Sequence, residues 1–434
     1  MCLGTIWFTG TTFLTVAIVT GGTATAGVAP CELQKLTVTV PAPPPGNFGV
    51  IVAVDGDFAL VGVPFDDDMG TDAGAVIALR RINGVWSVVQ KFYASNAASS
   101  DGFGHAVGLS GDKAIIGAPF KDDEARGAEA GATYLFERIG TVWTEVCPLV
   151  GAEVTGGDWF GFAVGISGTR AIVGTYPDHD APSGRGAAYV FEDCAQVARL
   201  TASDGQEGDL FGQAVAIEGD AALVGALLHD GASTDSGAAY VFRFNGSSWV
   251  QEQKLLATDG GDPDLAGLGV SVSLSCGVAL VGAYGDDDGG VNSGAAYVFG
   301  RIGGVWMQMA KLVAPDPVPF AYFGVRVSLS HNNALIGAWG DDDCGAASGS
   351  AYLFQDIGIA AGCWELVKLV ASDCAGNHRL GDSIAISGTT AFVGSPGAGA
   401  AYVFDELMGN LDGDEVVGLG DLAIFLALFG HACR

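Results

Sequence analysis

Along this chain the apolar residues fall into short runs of two textures that follow one another in a fixed order. One texture alternates, as in VRVSLS (325–330), and suits a strand with two unlike faces. The other is continuous, as in ALVGA (279–283) and AAYVF (295–299), and suits a strand covered on both sides. Between the runs stand tight turns such as SGDK (110–113), a longer loop rich in Asp and Gly, and a turn such as RIGG (301–304). A last run, for example VWMQMAKLVAP (305–315), closes the unit. The order predicts four antiparallel strands per unit, with no helical period between them.

The unit recurs seven times. It opens on Phe48-Gly49, Phe103-Gly104, Phe160-Gly161, Phe211-Gly212, Leu268-Gly269, Phe323-Gly324 and Leu380-Gly381, 51 to 57 residues apart. Repeated four-stranded units of this length are the description of propeller blades, whereas a β-helix needs much shorter repeats. Gly and Ala crowd the first two strands, as a blade tapering toward an axis requires, and Trp86, Trp143, Trp249, Trp306 and Trp364 recur on the fourth. After Phe404 no fourth strand follows. Its counterpart is at the other end, where CELQKLTV (Cys31 to Val38) matches CWELVKLV (Cys363 to Val370). The N-terminal strand is therefore expected to complete the last blade and close the ring, since an open ring exposes a sheet edge. The expected fold is all-β: a seven-bladed propeller over residues 31–404, preceded by a leader (1–26) and followed by a tail (405–434).

With an F-G step and a V-G-A-P run in each unit, as in FGHAVGLSGDKAIIGAP from Phe103 to Pro119, the chain resembles the FG-GAP repeat family, the propeller of integrin α subunits and of many bacterial secreted proteins. The resemblance covers about residues 31 to 404 and implies the propeller; the fold hosts enzymes, lectins and scaffolds alike. Family members often carry a D-x-D-x-D-G calcium loop between the first two strands. Here that place holds only turns such as SGDK, SHNN and SGTT, so those metal sites are not expected.

Composition narrows the partners. The 434 residues are 49% hydrophobic with 68 Gly, enough to bury a large core. A net charge of −30 would repel phosphate backbones, which excludes nucleic acid as a partner. The first 26 residues read as a secretory signal with Ala24-Thr25-Ala26 as the cleavage site, and no later segment is expected to span a membrane. Export permits disulfides; Cys363 with Cys374 is the favoured pair, and buried free thiols are the alternative.

In a blade of this kind the second-to-third-strand loops share a face with the blade-to-blade connections, so charge can be sorted by face. Most of the acid falls on that one face, in Asp66, Asp67 and Asp68, in Asp122, Asp123 and Glu124, in Asp286, Asp287 and Asp288, and in Asp341, Asp342 and Asp343. Only Lys121, Arg126, Arg185 and Arg379 are counted as bases there. Two readings stand: good turn formers on a soluble surface, or a ligand face for divalent cations or a basic partner. In integrins this is also the ligand face. The six histidines are scattered, without H-E-x-x-H or G-x-S-x-G; His179 and His229 occupy equivalent loops of adjacent blades.

The tail NLDGDEVVGLGDLAIFLALFG (410–430) resembles one half of a dockerin, a calcium loop followed by a helix. Asn410, Asp412, Asp414, the Val416 carbonyl and Asp421 would be the calcium ligands, with Glu415 where the family has glycine. The expectation is a secreted or cell-surface, non-catalytic binding or adhesion module that takes an extracellular protein or glycan, its tail docking a cohesin-like partner. Two alternatives are an enzyme active on extracellular polysaccharide through the acidic face, and a structural envelope component.

Overall fold

The computed structural model describes residues 31–37, 51–176, 185–231, 233–258, 267–355, 357 and 365–405. The leader, the Phe48-Gly49 step, His179, Cys363, Trp364 and the whole calcium-loop tail lie outside the described residues. Among the described residues, twenty-eight strands form seven antiparallel four-stranded sheets. Blades 1 to 6 span 51–92, 106–149, 163–200, 211–255, 268–312 and 326–369. In blade 7, strands Ser383–Ser387, Thr390–Ser395 and Ala400–Asp405 are completed by Cys31–Leu36, which pairs antiparallel with Ala400–Asp405. The expected ring closure is thus observed. A single 3-10 turn, Pro396–Ala398, is the one helical element among the described residues, and none of those residues forms a helix long and apolar enough to cross a membrane.

The first strand of each blade is innermost and touches the first strands of both neighbours, all the way round. The core is therefore divided. Seven apolar clusters lie one at each junction: Leu60, Phe103, Ile116 and Trp143 between blades 1 and 2, for example, and Val61, Trp86, Phe392 and Val403 between blades 7 and 1. Each blade is covered on both faces, which is why its two middle strands read as continuous apolar runs.

The signature glycines explain how blades come this close. The glycine of one blade's second strand faces the glycine of the next blade's F-G step. A Cβ added at Gly62 would lie 2.0 Å from the Gly104 oxygen, and at Gly225 it would lie 2.1 Å from the Gly269 oxygen. Beside this contact, Phe103 N–H donates to the Ala73 carbonyl at 3.0 Å, and single parallel bridges such as Gly74 to Phe103 recur at six junctions. Phe103 itself packs edge-on against Tyr134 at 5.6 Å, as Phe160, Phe211 and Phe323 do against Tyr189, Tyr240 and Tyr352.

Hydrogen bonds then close the disc. At the far end of every inner strand one side chain accepts the N–H of the next blade's first turn: Asp55 from Gly111, Ser110 from Gly168, Ser167 from Gly219, Glu218 from Cys276, Ser275 from His331, Ser330 from Gly388 and Ser387 from Gly56. All seven junctions are joined this way. Farther out, the amides of Gln34, Gln90 and Gln253 each hold both main-chain groups of the next blade's tryptophan, Trp86, Trp143 and Trp306.

The favoured cysteine pair is corrected. Cys374 bonds to Cys344, joining the acidic loop of blade 6 to the connection that leaves the same blade, and Cys147 bonds to Cys194, joining blades 2 and 3. Both pairs have Cα separations in the disulfide range, 5.9 and 6.2 Å. They were hidden because each partner is close only once segments distant in sequence, 47 and 30 residues apart, pack together. Cys276, expected buried if free, is an exposed thiol.

Gly225 has ordinary negative φ, so alanine there brings no backbone penalty, only the contact with Gly269. Gly225→Ala is expected to cost about 3 kcal/mol, the upper range for overpacking a close-packed site, measured by urea unfolding. A cost under about 1 kcal/mol would show that the blades do not need this approach. Removal of residues 31–36 should cost more still, because it bares the Ala400–Asp405 edge.

Candidate functional site

The triple-aspartate loops are built from the inside. Asp66, Asp286 and Asp341, the first acid of each, are only 2% exposed. Each accepts the N–H two residues on, at 3.2, 3.2 and 3.1 Å, and each pairs with a lysine of its own blade's outer strand: Lys91 at 2.5 Å, Lys311 at 2.7 Å and Lys368 at 2.9 Å. Buried tyrosines add a further bond, Tyr297 to Asp286 at 2.9 Å and Tyr352 to Asp341 at 3.0 Å. The second acids, Asp67, Asp287 and Asp342, accept the N–H five residues on, from Asp72, Asn292 and Ala347 at 2.8, 2.5 and 2.7 Å. Those three donors sit in the left-handed region, so the carboxylate fixes the sharpest point of the loop. The third acids, Asp68, Asp288 and Asp343, return to the same lysines at 2.7, 2.5 and 2.6 Å. In blade 2, Asp122 accepts the Glu129 N–H at 2.9 Å, and Asp123 accepts from the N–H groups of Ala125 and Arg126 and from the Arg126 guanidinium. Every acid named from the sequence on these four loops, Glu124 aside, therefore has an identified part in shaping its own loop.

The register supplies the lysines. Lys311, Lys254, Lys368 and Lys35 stand directly across from Tyr297, Tyr240, Tyr352 and Tyr402, so each lysine stem lies along a buried ring while its ammonium reaches up to the loops. Connection acids complete the unit: Tyr240 and Lys254 meet at Asp204, Tyr352 and Lys368 at Asp316, and Tyr402 and Lys35 at Asp373. Lys35, Lys91, Lys254, Lys311 and Lys368 were not among the bases counted for this face, so its negative excess is smaller than the sequence suggests. Blade 4 replaces the first acid by His229, whose Nδ1 lies 2.7 Å from Asp209 and whose Nε2 lies 3.0 Å from the Lys254 ammonium. Among the described residues no three of His, Cys, Asp or Glu converge into a group that could hold a metal ion. Arg81, Arg138, Arg243 and Arg301 on the opposite face are also paired, with Asp57, Asp112 and Glu252.

A second feature of the acidic face went unread in the sequence. Around the axial mouth, side chains from several blades form a half-buried aromatic belt. Phe162 packs on His105 at 4.9 Å and on Tyr176 at 4.7 Å, and Trp159 lies nearly parallel to Tyr176 at 5.6 Å. Farther round, Tyr322 stacks on Trp339 at 4.8 Å and touches Tyr284 at 6.0 Å. Leu210, Leu227 and Val270 bridge the two groups through contacts with Tyr176 and Tyr284. Burial raises the Tyr284 hydroxyl pKa, and Tyr322 and Tyr176 raise it further.

The backbone beneath the belt is strained. The residue before each described F-G step adopts positive φ: Gly102 at 65° and Gly267 at 62°, but also Trp159 at 48°, Leu210 at 55°, Tyr322 at 55° and Arg379 at 56°. Glycine enters this region freely, whereas a bulky side chain costs about 1–3 kcal/mol. The signal was present in the sequence as a position holding Gly, Trp, Leu, Gly, Tyr and Arg in turn.

A family model described as FG-GAP repeat matches residues 86–136, 143–191, 194–242, 249–299, 306–354 and 364–404, and the chain belongs to the FG-GAP repeat family. No curated protein matches the chain.

The charge network sets the pH response. Hydrogen bonds from Lys91 and then Tyr93 hold Asp68 below the usual carboxylate range. Burial alone would raise Asp204, Asp316 and Asp373, but bonds from Lys254, Lys368 and Lys35 outweigh it and lower them. Burial alone would likewise lower Lys311 and Lys368, and the paired aspartates raise them instead. Stability from these aspartates is present above their unfolded pKa, about 3.9, and is lost as pH falls through the folded values. Stability from the lysines is lost only at pH above about 10.4. His105 behaves differently: burial, then Arg326 of non-adjacent blade 6, lowers it from 6.5 to about 4. It stays neutral in the fold, so its contribution is complete above pH 6.5 and is lost as pH falls toward 4. His105→Phe, which copies Phe162 at the equivalent place in blade 3, should flatten the stability curve between those two pH values; an unchanged slope would refute the assignment.

Lys311→Met should cost about 3 kcal/mol, since it strips a buried carboxylate of its cation. Lys113→Met, at an exposed pair with Asp193, should cost under about 1 kcal/mol. Equal losses in thermal unfolding would show that burial of the first acid does not matter.

Proposed function

We propose that this chain is an extracellular, non-catalytic binding module that engages its ligand at the axial mouth of the acidic face. One observation carries the reading. At the position before the F-G step, where Gly102 and Gly267 meet the left-handed backbone without strain, blades 3 and 6 hold Trp159 and Tyr322. Strain retained at a surface position that glycine could fill points to a use for the side chain rather than for the fold. Half-buried aromatic rings around a concave opening are a common basis of recognition. The disulfides Cys147–Cys194 and Cys344–Cys374 fit an oxidising environment, and FG-GAP propellers often serve in binding. Attachment through the tail, with calcium held by Asn410, Asp412, Asp414, Val416 and Asp421, remains part of the proposal on the strength of the loop spacing.

The test is a glycan and protein array with the exported chain, followed by affinity measurements on Trp159→Gly and Tyr322→Gly. Each variant adopts the residue of blades 2 and 5, so relief of strain offsets part of the lost packing and the fold should persist. Affinity is expected to fall about tenfold or more. Undiminished affinity, coupled with loss on Ile139→Asp or Ile302→Asp at exposed hairpin tips of the other face, would place the ligand on the wrong side of the disc for this reading.

A further inference from the structure

Between the acidic loops of blades 1 and 2, on the face of the aromatic belt, lies a groove of about 440 Å3. Its floor is Phe65, 38% exposed, and half-buried Phe120. Carboxylates stand along its walls, Asp72 on one side and Asp122 with Glu129 on the other, and Ser99 and Ser100 complete the blade 1 wall. At its inner end Phe120 meets Trp159 edge-on at 5.2 Å, and the Trp159 indole N–H donates to Glu129 at 2.9 Å. The groove is thus continuous with the belt.

The fold does not need these rings. At the place of Phe65 and Phe120, directly before the first loop residue, blades 5, 6 and 7 hold Gly285, Gly340 and Gly397. Unlike Trp159, neither phenylalanine sits at positive φ; they are apolar rings, one exposed and one half-buried, where three other blades carry no side chain. The bases near the groove face away from it: Lys121 bonds the Asn96 carbonyl at 2.9 Å and Asp101 at 2.7 Å, and Arg126 bonds Asp123 at 3.0 Å. None of the lining residues is basic.

We propose that this groove binds a neutral carbohydrate, one sugar ring resting its C–H face on Phe65 and Phe120 while its hydroxyls donate to Asp72, Asp122 and Glu129. The inference rests on the assignment of this face as the binding surface. An occupant must offer an apolar face, several hydrogen-bond donors at different bearings, and no negative charge. A sugar ring combines all three, and charge-assisted bonds to carboxylates favour its hydroxyls. The volume falls within the range of small-molecule sites, about 300–1,000 Å3. A basic side chain suits the charge but not the layout. The acids are spread along two walls rather than converging on one point, so a single ammonium or guanidinium reaches few of them. Asp122 and Glu129 are already held, by the Glu129 N–H and the Trp159 N–H, so little ordering remains to be done on binding.

The experiment titrates the full chain, by calorimetry and by Trp159 fluorescence, with neutral hexasaccharides of glucose, N-acetylglucosamine, mannose and xylose, and separately with lysine- and arginine-containing pentapeptides. At least one neutral saccharide should bind, with affinity insensitive to salt. Phe65→Gly, which installs the residue of blades 5 to 7, should weaken it about tenfold or more, and Asp122→Asn with Glu129→Gln should weaken it further. Three results overturn the proposal: no neutral saccharide binds, saccharide binding survives Phe65→Gly, or only the basic peptides bind and Phe65→Gly abolishes them. If no saccharide binds while another ligand is lost on Trp159→Gly and Tyr322→Gly, the carbohydrate assignment fails and the binding face stands.

Discussion

The whole disc depends on how closely two backbones can approach at each blade junction. Where Gly62 faces Gly104, and at the five equivalent described junctions, the oxygen of one chain occupies the space of the missing Cβ on the other. That approach seats the F-G phenylalanine against the tyrosine of its own blade and brings inner strands near enough for the ring of seven hydrogen bonds. Apolar burial supplies most of the driving force, but it is the glycine contact that fixes the wedge angle at which burial can occur. A larger residue would open one wedge, and in a closed ring the other six would have to absorb the change.

Charge on the acidic face is spent first on shape. The same three-acid phrase does three different things: it pairs a buried carboxylate with a half-buried lysine, pins a left-handed turn, and returns to the lysine from outside. Placing lysine across from tyrosine on the outer strand lets one cation serve two loops. With these acids engaged, the unusual features of the face are its aromatic residues, which sit where glycine would be easier.

Strand count, blade order and ring closure were legible in the sequence because each blade repeats the same local pattern of strand texture and turn residue, and because Cys31 to Val38 matches another outer strand. Proximity across the repeat was less legible. Lys311 lies 23 residues from Asp288 and on another strand, so a count by loop boundaries left it out. Cys374 resembled a partner for nearby Cys363, yet the loop holding Cys344 stacks on it. The belt was missed for a subtler reason. Trp159 and Tyr322 differ from Gly102 and Gly267 only in one column of the repeat, and the meaning of that column is a backbone angle. The tail residues lie outside the described part of the chain, so the structure adds nothing to their reading.

The phase of the repeat has a consequence of its own. Matched segments such as 86–136 and 143–191 run from the outer strand of one blade to the third strand of the next. The unit of sequence is therefore not the unit of architecture: each copy carries the latch for the blade behind it and the body of the blade ahead. Duplication or loss of one such segment inserts or removes a blade while leaving the first and last strands matched. A gene built this way can change the circumference of its product by unequal recombination without ever producing an unlatched ring. The cost of a new blade number then falls on the glycine contacts, which must settle at a different angle.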